Sequence, residues 1–246
     1  MFSQVTEKIK PLDKVSMDKC QERLDNLIKP INSLGVLESL AVKISGILSC
    51  NRPIIKAKLI LVLPKEQHDL DYNKNKKTLD LLAEKQGADV VLFQENTIFE
   101  NYNVICLSDF FEKDIDFENE LPEDNEDIML MTGIILKACE RRSLVVIDSV
   151  AASIAALAAT KIAPEVKDFL FAPCKFNNKT YELALKELEL TPCLDLEFEK
   201  LNGVGSILFL SIVKMTLNLL NNMKTFKEAN VSIAEDGEGI LKQNIY

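Results

Sequence analysis

Glycine, histidine and tryptophan are the scarce residues of this chain, with eight glycines, one histidine (His68) and no tryptophan among 246 residues. An average globular composition has about 7% glycine and would give roughly 17. Glycine lets a backbone come close to a phosphate and take positive φ, and histidine is the commonest acid–base group and metal ligand. The shortage of both counts against glycine-rich phosphate loops, zinc sites and Ser-His or Cys-His catalysis. The six cysteines (Cys20, Cys50, Cys106, Cys139, Cys174 and Cys193) include no C-x-x-C pair and have no histidine nearby in sequence, so no zinc or redox motif is readable. Their mostly apolar surroundings predict core thiols. Neither a metal nor a cofactor is expected. The segment MFSQVTEKIKPLDK lacks the apolar run of a signal peptide, and no window reaches 18 uninterrupted apolar residues, which makes a cytoplasmic location the expectation.

A basic stripe is also missing. The net charge is −9, and between Asp109 and Asp127 ten acids face only Lys113. The rest of the chain balances, with 28 basic and 28 acidic residues. Nothing in this distribution suits nucleic acid or an anionic membrane. The acidic run lacks the order of an EF-hand loop and reads as a solvated linker over 109–127.

What the chain has in quantity is apolar sequence, 47% of its residues, enough for a large core without disulfides or metals. Helical spacing is visible over 18–49, with Asp18 a candidate cap of a first helix, a break at Lys29-Pro30, and a second helix from Ser33. Strand and helix signals then alternate. Strands are expected over 57–63, 88–93, 103–107, 144–148 and 168–172, and helices over 73–86, 128–141, 151–161, 178–189 and 204–222. Unbroken Val/Ile/Leu runs fit strands buried on both faces. The expected fold is therefore α/β, a mostly parallel Rossmann-like sheet flanked by helices, with a small helical part from the N-terminal and C-terminal segments. The expected organisation is a helical arm over 1–52, an α/β domain over 53–231 and a tail over 232–246. Lys214, Ser211, Thr216 and Asn218 interrupt the apolar segment 204–222, which reads as a core helix rather than a membrane span.

Candidate chemistry is sparse. Asp148, followed by Ser149, ends a strand at the carboxyl edge of the expected sheet, where ligands of open α/β folds bind; it could equally cap the helix that follows. His68 lies in a polar loop. Asn202-Gly203-Val204-Gly205 falls at a loop-to-helix junction, where free N–H groups and the helix dipole favour an anion, or where a tight turn simply packs closely.

Three stretches carry a resemblance. R-L-D-N-L-I-K-P-I-N-S-L-G-V-L-E-S-L-A (23–41), V-V-I-D-S-V-A-A-S-I-A-A-L-A (145–158) and the segment from L-D-L to M-K-T-F-K-E-A-N-V (194–231) are similar to signatures of the nicotinate-nucleotide–dimethylbenzimidazole phosphoribosyltransferases of cobamide lower-ligand synthesis. In the first, Lys29, Pro30, Ser33, Leu34, Gly35, Leu37, Glu38, Leu40 and Ala41 match the family's K-P-P-G-S-L-G-x-L-E-x-L-A. The resemblance implies a glycosyl transfer in which a base nitrogen attacks C1′ of nicotinate mononucleotide and displaces nicotinate, helped by a glutamate acting as general base.

The chain departs from the family where that chemistry resides. The G-D-H-G-V, G-G-A-A-I-N, G-I-G-N-T and G-R-G-T-G segments are absent, with residues 64–69 at most a remnant of the first. Counting forward from Asp195-Leu196, Glu199 replaces the family's Arg, Leu201 its Gly, Val204 its Thr, and Asn202 its catalytic glutamate. The H-R-S-x-E-P-G-H stretch is replaced by P-C-K-F-N-N-K-T (173–180). An amide cannot accept a proton at neutral pH, which removes a contribution of about 10²–10⁴-fold. No catalytic set is intact; Asp148, Ser149, Gly203 and Gly205 remain as substrate-contact candidates. The resemblance implies a non-catalytic subunit paired with a catalytic paralogue that binds nicotinate mononucleotide and a phenolic or benzimidazole base. Two alternatives stay open: an active transferase with Asp148 or Glu199 as substitute base, and a small-molecule-binding α/β protein without catalysis.

Overall fold

In a computed structural model, the chain is described over residues 7–62, 70–92, 102–109, 126–198 and 203–231. Two helices come first, α1 (Lys14–Asn26) and α2 (Val36–Leu48). Asp13, not Asp18, caps α1, its side chain accepting from the Ser16 amide at 3.2 Å. The second helix likewise starts later than Ser33. Gly35, at φ 52°, is its N-cap, because the Glu38 carboxylate turns back to accept from the Leu34 amide at 3.0 Å and holds the preceding turn outside the helix.

The α/β part follows as β1 (Ala57–Val62), α3 (Leu70–Lys85), β2 (Ala88–Leu92), β3 (Val104–Asp109), α4 (Glu126–Glu140), β4 (Leu144–Ile147), α5 (Val150–Ile162), a 3-10 turn at Pro164–Phe169 and β5 (Leu170–Phe171). The strands form one all-parallel sheet in the order β2-β1-β3-β4-β5. This is the doubly wound order whose switch point lies between β1 and β3. Two-sided burial explains the unbroken apolar runs: Val104, Ile105, Cys106, Leu107 and all four residues of β4 are fully buried. The exposed side of β5 is shielded by α2. Lys43 donates from Nζ to the Leu170 carbonyl at 2.9 Å and lies 4.4 Å from the centre of the Phe171 ring, a charged cover on an edge strand.

Two short strands, β6 (Cys174–Phe176) and β7 (Leu194–Phe198), flank α6 (Lys179–Glu187) and form a separate parallel pair that the sequence reading did not anticipate. Asn178 caps α6 through the Tyr181 amide. The last helix, α7 (Val204–Asn222), is long and apolar enough to cross a membrane by length and composition. It is nevertheless a core helix, in contact with α2, α3 and β6 and burying Ile207, Phe209, Leu210, Val213 and Leu220.

The chain ends meet. Arg23 on α1 donates to the carbonyls of Leu220 (2.8 Å) and Met223 (3.1 Å) and pairs with Glu228 (3.1 Å). Main-chain bonds run from the Ile28 amide to the Lys224 carbonyl and from the Phe226 amide to the Asn26 carbonyl. The two outer stretches of the sequence resemblance thus form one helical block. Cys20, Cys106, Cys139 and Cys174 are core thiols as expected, whereas Cys50 and Cys193 are exposed.

Candidate functional site

The carboxyl ends of β1, β3 and β4 define the edge where a doubly wound sheet takes its ligand. Asp148, immediately after β4, is fixed there by its own backbone: its amide donates to the Leu107 carbonyl at 2.9 Å, and the Ser108 hydroxyl donates to its carbonyl at 3.1 Å. It is fully buried. It caps a helix, but not the one that follows it. Ser149 is the N-cap of α5, its hydroxyl accepting from the Ala152 amide at 3.1 Å, while the Asp148 carboxylate accepts from the Ser206 amide in the first turn of α7 at 2.6 Å.

The reason lies in Gly203. It is the N-cap of α7 at φ 86°, and α7 has no side-chain cap bond at this position. A Cβ there would stand 2.9 Å from Leu59 Cδ2 on β1. Close packing against β1 and a left-handed backbone both select glycine, and glycine offers no capping oxygen. Asp148 supplies one from 58 positions away in sequence. Gly205, two residues beyond Gly203, is buried in the first turn of the helix.

Around this carboxylate stand Cys106 on β3, Cys174 on β6 and Tyr181 on α6. Burial pushes all three weak acids up, Cys174 to about 12, and the charge of Asp148 adds to each rise. The Tyr181 hydroxyl donates to the Cys174 carbonyl at 3.2 Å, with the Ile147 carbonyl at 3.4 Å. These groups stay protonated at neutral pH, so none of them supplies a thiolate or phenolate nucleophile. No local pattern announces this cluster, because its members come from three separate elements.

Of the sequence-derived candidates, the structure brings Asp148, Ser149, Gly203 and Gly205 to one edge. Asn202, Glu199 and His68 lie outside the described residues. Among the described residues no group of three or more His, Cys, Asp or Glu side chains is arranged to hold a metal. An open hollow of about 460 Å³ exists at the other end of the sheet, between Pro53, Ile54, Asn103 and Arg141, ahead of β1, β3 and β4. Its Arg142 is committed elsewhere, donating to the carbonyls of Gly46 (2.6 Å) and Ile47 (2.7 Å) at the end of α2.

A parallel doubly wound sheet, closed by a helical block and carrying a buried acid at its carboxyl edge, is an open α/β fold. The chain belongs to a phosphoribosyltransferase family, whose model matches residues 9–66 and 125–231. The unmatched residues 67–124 contain α3, β2 and β3. Among curated relatives, a nicotinate-nucleotide–dimethylbenzimidazole phosphoribosyltransferase of Clostridium perfringens is 42% identical over 105 residues, 43% of this chain and 29% of the relative. The corresponding protein of Shewanella frigidimarina is 37% identical over 106 residues, 43% of this chain and 30% of the relative. The matched part of the chain thus spans under a third of the length of these relatives. Among solved structures, CobT from Thermus thermophilus superposes with a TM-score of 0.72 at 16% identity, covering 89% of this chain and 99% of that one. At that identity the likeness concerns the fold.

Proposed function

We propose that this chain is the non-catalytic subunit of a heterodimeric nicotinate-nucleotide phosphoribosyltransferase that activates a lower-ligand base, phenolic in character, for cobamide biosynthesis. The observation that carries this reading is Asn202, which stands in the sequence where the family has its catalytic glutamate. A general base must reach a substrate proton in an ionised form, and an amide has no such form. Asp148 does not replace it. Its carboxylate is buried and held by the Ser206 amide, which argues against the reading of an active enzyme with Asp148 as substitute base. The helical block, by contrast, is kept with its signature residues and its contacts. A retained frame with a vacated base position suits a subunit that stabilises or completes a partner's active site, with nicotinate mononucleotide and the aromatic base bound mainly by that partner.

Co-expression with a full-length paralogue tests this. The expected result is a one-to-one complex whose transfer from nicotinate mononucleotide to phenol or a benzimidazole is abolished by replacing the partner's glutamate and survives Asn202→Ala in this chain. A stable homodimer without affinity for such a paralogue, or turnover by this chain alone, overturns the reading.

A further inference from the structure

Helix α7 is apolar on every side. Its one charged side chain, Lys214, donates to the Gln86 carbonyl just past α3. One side of the helix is buried in the core, and the other carries Val204, Leu208, Ile212, Met215 and Leu219. At 3.6 residues per turn these five positions fall within about 80° of one another around the axis. Met215 is 58% exposed and the other four are half-buried. A helix at the surface of a globular fold turns charged and polar residues outward, whereas one that is apolar all round is enclosed. This face of α7 has the composition of an enclosed helix and the exposure of a partly open one.

We propose that residues 232–246 pack along this face as a strap from the same chain. They start in the right place, because the Val231 amide donates at 3.0 Å to the carbonyl of Phe226, which lies just past the Leu219 end of α7. They are long enough, since fifteen extended residues reach up to about 50 Å, while the stripe from Leu219 to Val204 is about 22 Å long. Their order also fits. Glu235, Asp236 and Glu238 come first, opposite in charge to Lys224 and Lys227, which stand exposed where the chain leaves α7. Ile240, Leu241, Ile245 and Tyr246 follow, apolar side chains that gain by leaving water against Leu219, Met215 and Ile212. The strap belongs to the chain by itself, and holds at any protein concentration.

The test is the rate of trypsin cleavage after Lys242 in the full chain, followed by mass spectrometry. The unaltered chain is expected to be cut there slowly, at a rate that does not change with protein concentration. Met215→Asp is expected to speed the cut about tenfold or more, because cleavage follows the population of the undocked strap. Met129→Asp, at a position 47% exposed on α4, is expected to leave the rate unchanged. If Met215→Asp does not fold, Ile240→Ser, which leaves α7 intact, carries the test with the same expected acceleration. Equal rates for the unaltered chain and these strap-face variants leave the face open to a partner chain and overturn the proposal. A rate that slows as protein concentration rises places a second copy on the face and overturns it as well.

Discussion

Where α1 meets the end of α7, polar contacts are numerous and shared: three from Arg23, two main-chain bonds across the junction, and a reciprocal pair in which the Thr225 amide donates to Glu228 and the Glu228 amide donates to Thr225 Oγ1. At the carboxyl edge of the sheet, polar groups converge instead on one buried carboxylate. The first arrangement is a redundant staple, in which the loss of any one bond leaves the others in place. The second is a single joint between the sheet and α7. Arg23, Glu228, Asp148 and Ser206 all lie within the part of the chain that matches the family, so family membership alone does not distinguish the two regions; the disposition of their polar atoms does.

The largest effect expected from a single substitution lies in the helical block, at its one concentrated contact. Lys29 and Glu38 form an ion pair at 2.9 Å with both side chains only 5% exposed. Glu38→Ala leaves the ammonium buried and uncompensated, and urea unfolding should show a loss of about 3–5 kcal/mol. Replacing both residues by apolar ones of similar size should recover most of that loss. If Glu38→Ala is instead tolerated as well as an exposed substitution, the block is redundant throughout and the contrast with the sheet edge sharpens.

Gly203→Ala comes next and probes the joint from the other side. It places a Cβ 2.9 Å from Leu59 and forces a left-handed backbone on alanine, and should cost about 1–3 kcal/mol. Arg23→Ala is expected to cost about 1–2 kcal/mol, since its main-chain neighbours still hold the two chain ends together. A loss from Arg23→Ala larger than that from Gly203→Ala would reverse the comparison.

Much of this architecture is legible in the sequence, for reasons that vary by element. The buried strands β1, β3 and β4 are rich in Val, Ile and Leu, and the range of α7 matches its apolar segment residue for residue. The pair β6 and β7 was missed because β6 has only three residues, while the alternation of Leu194, Leu196 and Phe198 sits in a stretch whose carboxylates and glycines read as a loop. Helix starts moved where two capping residues lie close together: Asp13 against Asp18, Gly35 against Ser33, Ser149 against Asp148. Local chemistry permits either member of each pair. For Asp148 the choice is made by Ser206, far along the chain, and no spacing rule reaches that distance.

The smallest expected effect concerns acid. The carboxyl of Glu228 is held below its ordinary 4.5, first by the Thr225 amide and then by Arg23, and that of Asp13 is lowered first by the Ser16 amide. A carboxyl whose folded value is depressed adds stability that is complete above its unfolded value and is lost as pH falls through the folded one. The urea midpoint should therefore decline as pH is lowered below about 4.5. Glu228→Gln should flatten part of that decline while changing little at pH 7, and Arg23→Ala should flatten it less, because the Thr225 amide remains. The residual slope in Glu228→Gln should include the Asp13 cap at the other end of the block. A pH profile of Glu228→Gln that coincides with that of the unaltered chain would show that the staple holds through its main-chain bonds alone, with its charges contributing nothing.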